Sequence, residues 1–289
     1  MLTPSVSVVI PALNEARNIP HVFAQIPNDV YEVILVDGFS VDDTVAIARE
    51  VRPDVRIVLQ TRLGKGNALA CGFAAATGEI IAMVDADGSA DSGEIPLFVA
   101  ALLDGADFAK GTRFAEGGGS TDITRLRSFG NYVLTSFFNA CYGRKYSDLC
   151  YGFNVFWRRY VSVLALDATS PLQPDGDGGL WGDGFEVETL IHVRVAKAGL
   201  VVAEVPSFEH ARIHGVSNLN AFRDGRRVLQ TILAERHRPQ PSSVLEVTEQ
   251  QPPVAQALCE SSSSSALTGS EEQPIEVLVT GGESGDRAV

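Results

Sequence analysis

From Ser5 to about Lys110, short runs of aliphatic and β-branched residues alternate with longer stretches whose apolar side chains recur every three or four positions. The rhythm predicts strands at Ser5–Ile10, Glu32–Val36, Val55–Leu59, Ile80–Val84 and Asp107–Lys110. Between them it predicts helices at Asn14–Gln25, Asp42–Arg52, Lys65–Ala76 and Gly93–Leu103. The strand runs are nearly continuous in Val, Ile and Leu, as in a parallel sheet covered on both faces. In such α/β folds ligands collect beyond the carboxyl ends of the strands, so the residues following each strand become the candidates for chemistry.

Past residue 110 the rhythm changes. A Gly-rich loop, Glu116–Ser120, precedes an amphipathic helix at Thr124–Cys141 and a loop Ser170–Asp183 dense in Pro, Gly and Asp. A helix Phe185–Lys197 closed by Gly199, a strand Leu200–Val205, an arm Ser207–Leu219 and a helix Asn220–Arg236 follow. Beyond Pro239, the Ser261–Ser265 run with scattered Pro and Gly reads as a disordered tail. The expected organisation is a folded unit over 1–238, in two halves 1–115 and 116–238, followed by an acidic tail over 239–289.

Composition sharpens this picture. The 289 residues are 45% apolar, enough for a sizeable core, and the net charge is −13. The tail alone holds eight acidic residues and one arginine, so just over half of that charge lies outside the folded unit. No basic surplus points to nucleic acid. Four cysteines without a C-x-x-C pair suit a reducing compartment. The N-terminal apolar run lacks a cationic flank and meets Pro11 at once, unlike a signal peptide. The longest uncharged stretch near an apolar pattern, Ser128–Gly143, is shorter than the roughly 20 residues a spanning helix needs. A cytoplasmic enzyme is expected, with the inner face of the membrane as the alternative location.

Four strand ends carry distinctive residues: Pro11-Ala12-Leu13-Asn14-Glu15, Asp37-Gly38-Phe39-Ser40, Asp85-Ala86-Asp87 and Gly111-Thr112-Arg113. Singly they read as caps and turns, with Asn14 and Asp42 as helix N-caps. Together, on one edge of one sheet, they converge on a cleft. Asp85 and Asp87, one residue apart, can face a single divalent cation, and such a cation on a diphosphate would stabilise a leaving phosphate. Asp37 is placed to accept from a base N–H or a ribose hydroxyl. Lys65 lies between Gly64 and Gly66 where a helix N-terminus favours anions, without the spacing of a Walker loop.

In order, Val8-Val-Ile-Pro11-Ala-Leu-Asn14-Glu15, Val36-Asp37-Gly-Phe-Ser40 with Asp43-Thr44, Gly64-Lys65-Gly66-Asn-Ala68 and Val84-Asp85-Ala86-Asp87 resemble the family-2 glycosyltransferases. The likeness covers about residues 5–236 and is closest to the polyprenyl- or dolichyl-phosphate sugar transferase branch. It implies a glycosyltransferase A fold and a nucleotide-sugar donor, UDP- or GDP-linked. Pro11, Ala12, Asn14, Glu15 and Asp37 would then surround base and ribose. Lys65, Asp85, Ala86 and Arg212 would hold the donor, and Asp85 and Asp87 would hold Mg²⁺ or Mn²⁺.

In the second half, Asp148-Leu-Cys-Tyr-Gly152-Phe153 resembles the family's acceptor-side loop, and Phe185-Glu-Val-Glu188 its acidic helix. Glu188 is the expected base for an acceptor hydroxyl and Asp183 its substitute. A lipid-phosphate acceptor, already an anion, would need neither. Glu186 and Glu188 should lie on different helix faces. In the arm, Arg212 offers bidentate phosphate contacts and His214 a metal or phosphate contact. Two features depart from the family: Asp37-Gly38 stands where paired aspartates are usual, and the C-terminal membrane helices of many relatives are lacking.

The implied reaction is an inverting transfer of a hexose to an acceptor hydroxyl of a saccharide or small molecule, or to a polyprenyl phosphate. A sugar-nucleotidyltransferase and an idle nucleotide-sugar-binding scaffold are the competing readings. Arg125, Arg127, Arg144 and Lys145 flank Phe129–Tyr142, which reads first as a core helix with solvated ends and second as an anionic-acceptor or membrane face.

Overall fold

The computed structural model describes residues 3–170, 180–215 and 221–239, all within one compact unit, Met1–Gln251. The expected tail, the 171–179 part of the Pro/Gly loop and the 216–219 end of the arm lie outside the described residues.

In chain order the elements are β1 (Val6–Ala12), α1 (Ile19–Gln25), β2 (Glu32–Asp37), α2 (Thr44–Val51), β3 (Arg56–Leu59), α3 (Lys65–Ala75), β4 (Ile80–Met83), α4 (Ile95–Leu103), β5 (Phe108–Thr112), β6 (Gly119–Ser120) and α5 (Arg125–Tyr142). β7 (Asn154–Trp157), α6 (Val161–Leu164), α7 (Val187–Lys197), β8 (Val202–Pro206), β9 (Phe208–Glu209) and α8 (Ala221–His237) follow. Seven strands form one sheet in the order β3-β2-β1-β4-β7-β5-β8, and β6 pairs with β9 in a second, two-stranded ribbon.

Every expected strand is present, and the sheet is parallel except at β7, which runs antiparallel to both β4 and β5. The apolar faces of β1, β2 and β4 point alternately into two cores. Val8, Ile10, Leu35 and Ile80 pack beneath α1 and α4, while Val9, Ile34, Ile81 and Met83 pack beneath α3 and α7. Covering on both faces accounts for the uninterrupted Val/Ile/Leu runs.

Three sequence expectations are corrected. β1 runs on through Pro11 to Ala12, because its pairing with β4 stops at Val9↔Met83 and the missing proline N–H removes no ladder bond there. β7 was not anticipated; four residues, Asn-Val-Phe-Trp, carry too little pattern to be told from a loop. The N-caps fall at Asn18 and Asp43 rather than Asn14 and Asp42. Asn14 is left-handed, at φ 57°, and its Oδ1 accepts from Val41 N–H at 2.8 Å while Ser40 Oγ accepts from Asn14 N–H at 2.9 Å. Asp42 likewise accepts from Ala16 N–H. Both side chains fasten the loop after β1 to the loop after β2.

Candidate active site

The carboxyl ends of β1, β2, β4 and β5 share one edge of the sheet. Ala12 stands opposite Asp37 in the β1–β2 register, and the Asp37 carboxylate, buried, turns back to accept from Ser40 N–H at 3.3 Å. After β4, Gly88 turns the chain at φ +74°, and a Cβ there would sit 2.6 Å from Ile213 Cδ1, so the space behind the aspartates is filled by the arm. Asp85 and Asp87 both line a cavity of about 810 Å³ with Lys65, Arg113, Glu186, Glu188 and Arg212.

Two basic residues hold these acids. Lys65 Nζ lies 2.7 Å from Asp85 Oδ1 and 2.6 Å from Glu188 Oε1. Arg212 bridges Asp87 at 3.0 Å and Glu15 at 3.1 Å. Burial works against the Lys65 charge, but the Asp85 and Glu188 carboxylates outweigh it and hold the ammonium well above the usual lysine range. Burial pushes the Asp85 carboxyl up; Lys65 pulls it down, and Glu188 and Asp87 add to the upward push. Burial likewise raises Glu15. Four carboxylates thus face two cations, and a bound diphosphate would widen the deficit. Two hard carboxylate oxygens with further positions supplied by phosphate oxygens is the usual way Mg²⁺ is held. The donor set therefore fits a divalent cation on Asp85 and Asp87, although no group of three His, Cys, Asp or Glu able to hold a metal occurs among the described residues.

The arm is pinned across this edge. His210 N–H donates to Ser89 O, Ile213 N–H to Asp87 O, and Asn18 Nδ2 to His214 O. His214 itself is not among the described residues lining the cavity; its ring lies 5.7 Å from that of His21. Arg212 rather than His214 reaches back to Asp87.

Asp183 lies outside the cavity lining. It is buried and bound bidentately to Arg62, at 2.8 and 2.9 Å, a side chain that also donates to Asp167 O and Ser170 O. An acid fully engaged by a buried guanidinium is poorly placed to take a proton. The helix N-terminus at Lys65 likewise offers no open anion cradle: Gly66 N–H donates to Asp183 O at 2.8 Å. Glu186 and Glu188 were expected to diverge so that at most one faced the cleft; they keep separate partners, Glu186 accepting from Gly182 and Gly184 N–H and Glu188 from Lys65, but both line the cavity.

Pro11, Ala12, Asn14 and Asp37 border the sheet edge but do not line the cavity, which opens instead toward the second half of the chain. There its wall is apolar: Leu126, Phe129, Val133 and Leu134 of α5, Tyr151 and Phe153 before and beside β7, and Val228 of α8. Three features escaped the sequence. Arg113 is buried between Asp148 and Glu209, at 2.8 and 3.0 Å. Arg127 and Arg227 line the cavity beside Asp122 and Asp224. The Lys65–Glu188 contact joins residues 123 apart. Arg113 had a signal in its place after a strand, and Arg127 in the basic residues that flank Phe129–Tyr142; the pairings themselves had none.

Three comparisons bear on this geometry. The sequence profile described as Glycosyl transferase family 2 matches residues 7–164. An uncharacterized glycosyltransferase of Mycobacterium bovis is 43% identical over 113 residues, 39% of this chain and 50% of that protein. The dolichol-phosphate mannosyltransferase of Pyrococcus furiosus is 34% identical over 120 residues, 39% of this chain and 34% of that protein. The matches thus span half or less of these relatives' own lengths. Among solved structures, glucosyl-3-phosphoglycerate synthase from Mycobacterium tuberculosis, in complex with Mn²⁺, UDP and glucosyl-3-phosphoglycerate, aligns with a TM-score of 0.61 at 25% identity, covering 82% of this chain and 81% of that one.

Proposed function

Because this chain belongs to glycosyl transferase family 2, we propose that it transfers a hexose from a UDP- or GDP-linked donor to a phosphate acceptor bearing an apolar chain, with inversion at the anomeric carbon. The observation that carries this reading is the single cavity in which the Asp85–Asp87 pair and its two cations meet an apolar wall. Diphosphate chemistry belongs at the first, an aliphatic tail at the second. The Mn²⁺ and UDP bound by the mycobacterial synthase support a divalent cation and a nucleotide donor, and the name of the archaeal mannosyltransferase supports a lipid phosphate.

On this reading Asp85 and Asp87 hold the cation, which when bound would offset charge on the departing nucleoside diphosphate. Asp37, Pro11 and Ala12 bound the nucleoside at the β1–β2 edge. Lys65 keeps Asp85 in place and Arg212, released from Asp87, turns its planar donors to the diphosphate. An acceptor phosphate oxygen attacks the anomeric carbon from the face opposite the diphosphate. The new C–O bond forms as the bond to the diphosphate breaks. An anionic acceptor brings no proton to remove, so Glu188 and Arg127 position it rather than deprotonate it. Closure of the arm excludes water from the donor.

A second reading is favoured by one placement. Glu188, unlike Asp183, lines the cavity, where it can meet a hydroxyl acceptor as general base once Lys65 moves off it. Glu188→Gln separates the two: transfer to a hydroxyl acceptor falls by about a hundredfold or more, transfer to a phosphate acceptor by far less. The primary test is a thermal-shift panel of UDP- and GDP-sugars with and without Mn²⁺. A cation-dependent rise in melting temperature for one nucleotide, lost in Asp87→Asn, is expected. No shift with any nucleotide in the presence of the cation would sink the proposal.

A further inference from the structure

The 18-residue helix α5 turns part of its apolar face outward. Leu126, Phe129, Tyr132 and Val133 recur at helical spacing and remain 57%, 66%, 69% and 48% exposed. Its inner side already has partners: Phe138 packs with Tyr146, Leu149, Val193 and Ile232. The outer stripe is therefore surplus to the fold. Beside it, α8 contributes exposed Leu229 and Leu233 together with exposed Arg223, Arg226, Arg227 and Arg236. Of the two acids of α8, Asp224 is half-buried and pairs with Arg223 and Arg227, while Glu235 is buried against Trp181 and Arg194, so the exposed charge of the helix is mainly basic. Arg125 stands exposed at the start of α5.

Basic side chains and an apolar stripe thus share one surface of a chain whose net charge is −13. Leu126, Phe129 and Val133 also line the cavity that ends at Asp85 and Asp87, so this surface is the cavity's rim. No helix of the described residues is long and apolar enough to cross a membrane. A helix presenting Phe, Leu and Tyr among arginines is the kind that lies in a headgroup layer.

We propose that the outer face of α5 and α8 seats on an anionic lipid bilayer, with the cavity mouth opening toward the lipid. The inference rests on the apolar-tailed acceptor reading, which it deepens by naming where that acceptor is met. Tyr132 and the stripe enter the interface, while the arginines meet headgroup phosphates.

The test is co-sedimentation of the full chain with vesicles of phosphatidylcholine alone and with about 30 mol % phosphatidylglycerol. Binding to the anionic vesicles, weakened by salt and reduced by about tenfold or more in a Tyr132→Ser, Arg226→Glu, Arg236→Glu variant, is expected. None of these three residues lines the cavity, so the variant keeps any donor-dependent thermal shift of the native chain. Equal binding to both vesicle types, or binding indifferent to the three substitutions, overturns the proposal. So does a dimer in sedimentation velocity that Tyr132→Ser dissolves, because the stripe would then face a second copy. The donor panel reads separately: vesicle binding without any nucleotide shift defeats the donor reading alone, and the reverse defeats the surface alone.

Discussion

At the scale of single residues, Lys65 is the hub. Its ammonium is shared by a β4-end aspartate and the α7 glutamate, so Lys65→Met leaves two carboxylates repelling each other beside a third. Transfer should fall by about a hundredfold, a loss of preorganised electrostatics, while Lys65→Arg should recover part of it; steady-state rates on the same donor decide. A second residue-scale prediction concerns the buried Arg113–Asp148 pair. Burial alone would raise Asp148, but the Arg113 hydrogen bonds outweigh it and hold the carboxyl below the usual range. A depressed acid contributes stability above its unfolded value and loses it as pH falls through the folded one. Asp148→Asn should therefore flatten the acid limb of a stability profile below about pH 4. Arg113→Met, which strands a buried charge, should cost about 3–5 kcal/mol at neutral pH, read by chemical denaturation.

At the scale of elements, the fit of α3 against its neighbours decides where Lys65 points. A Cβ on Gly66 would fall 1.7 Å from Gly182 O and one on Gly72 2.3 Å from Val9 Cγ1. The first obstacle is backbone, which cannot rotate away. Gly66→Ala must lift the helix start off the 182–183 segment and should lower the melting temperature by about 4–10 °C. Gly130→Ala in α5, where nothing lies within 4 Å, should instead raise stability by about 0.5–1 kcal/mol. Thermal melts of the two variants give opposite signs if packing, not glycine itself, is what matters. The Arg62–Asp183 clamp belongs to the same scale: it binds the loop before α7 to the loop before α3, and so sets Glu188 against Lys65.

At the scale of the whole molecule, every described element ends by residue 239. A chain stopped there should keep the donor-dependent melting shift of the full chain while its isoelectric point rises, since the removed segment is strongly acidic. Electrofocusing with the thermal panel checks both. Much of this architecture is legible in sequence because burial on both faces of a parallel sheet demands uninterrupted apolar runs, and three such runs, Val8–Ile10, Val33–Val36 and Ile80–Val84, mark its centre. The strand ends announce themselves for the same reason: a polar cluster such as Asp85-Ala86-Asp87 stands out directly after buried Ile80–Met83. What the chain by itself determines is thus the layer order, the edge where the polar residues gather and the family. Local pattern could not give β7, too short to show a period, nor tell Asn14 and Asp42 as loop-to-loop fasteners from helix caps. The ion-pair partners of Lys65, Arg212, Asp183 and Arg62 lie more than 100 residues away, Asp85 excepted. Pairing across such distances depends on crossovers and side-chain packing, and only the tertiary structure decides it.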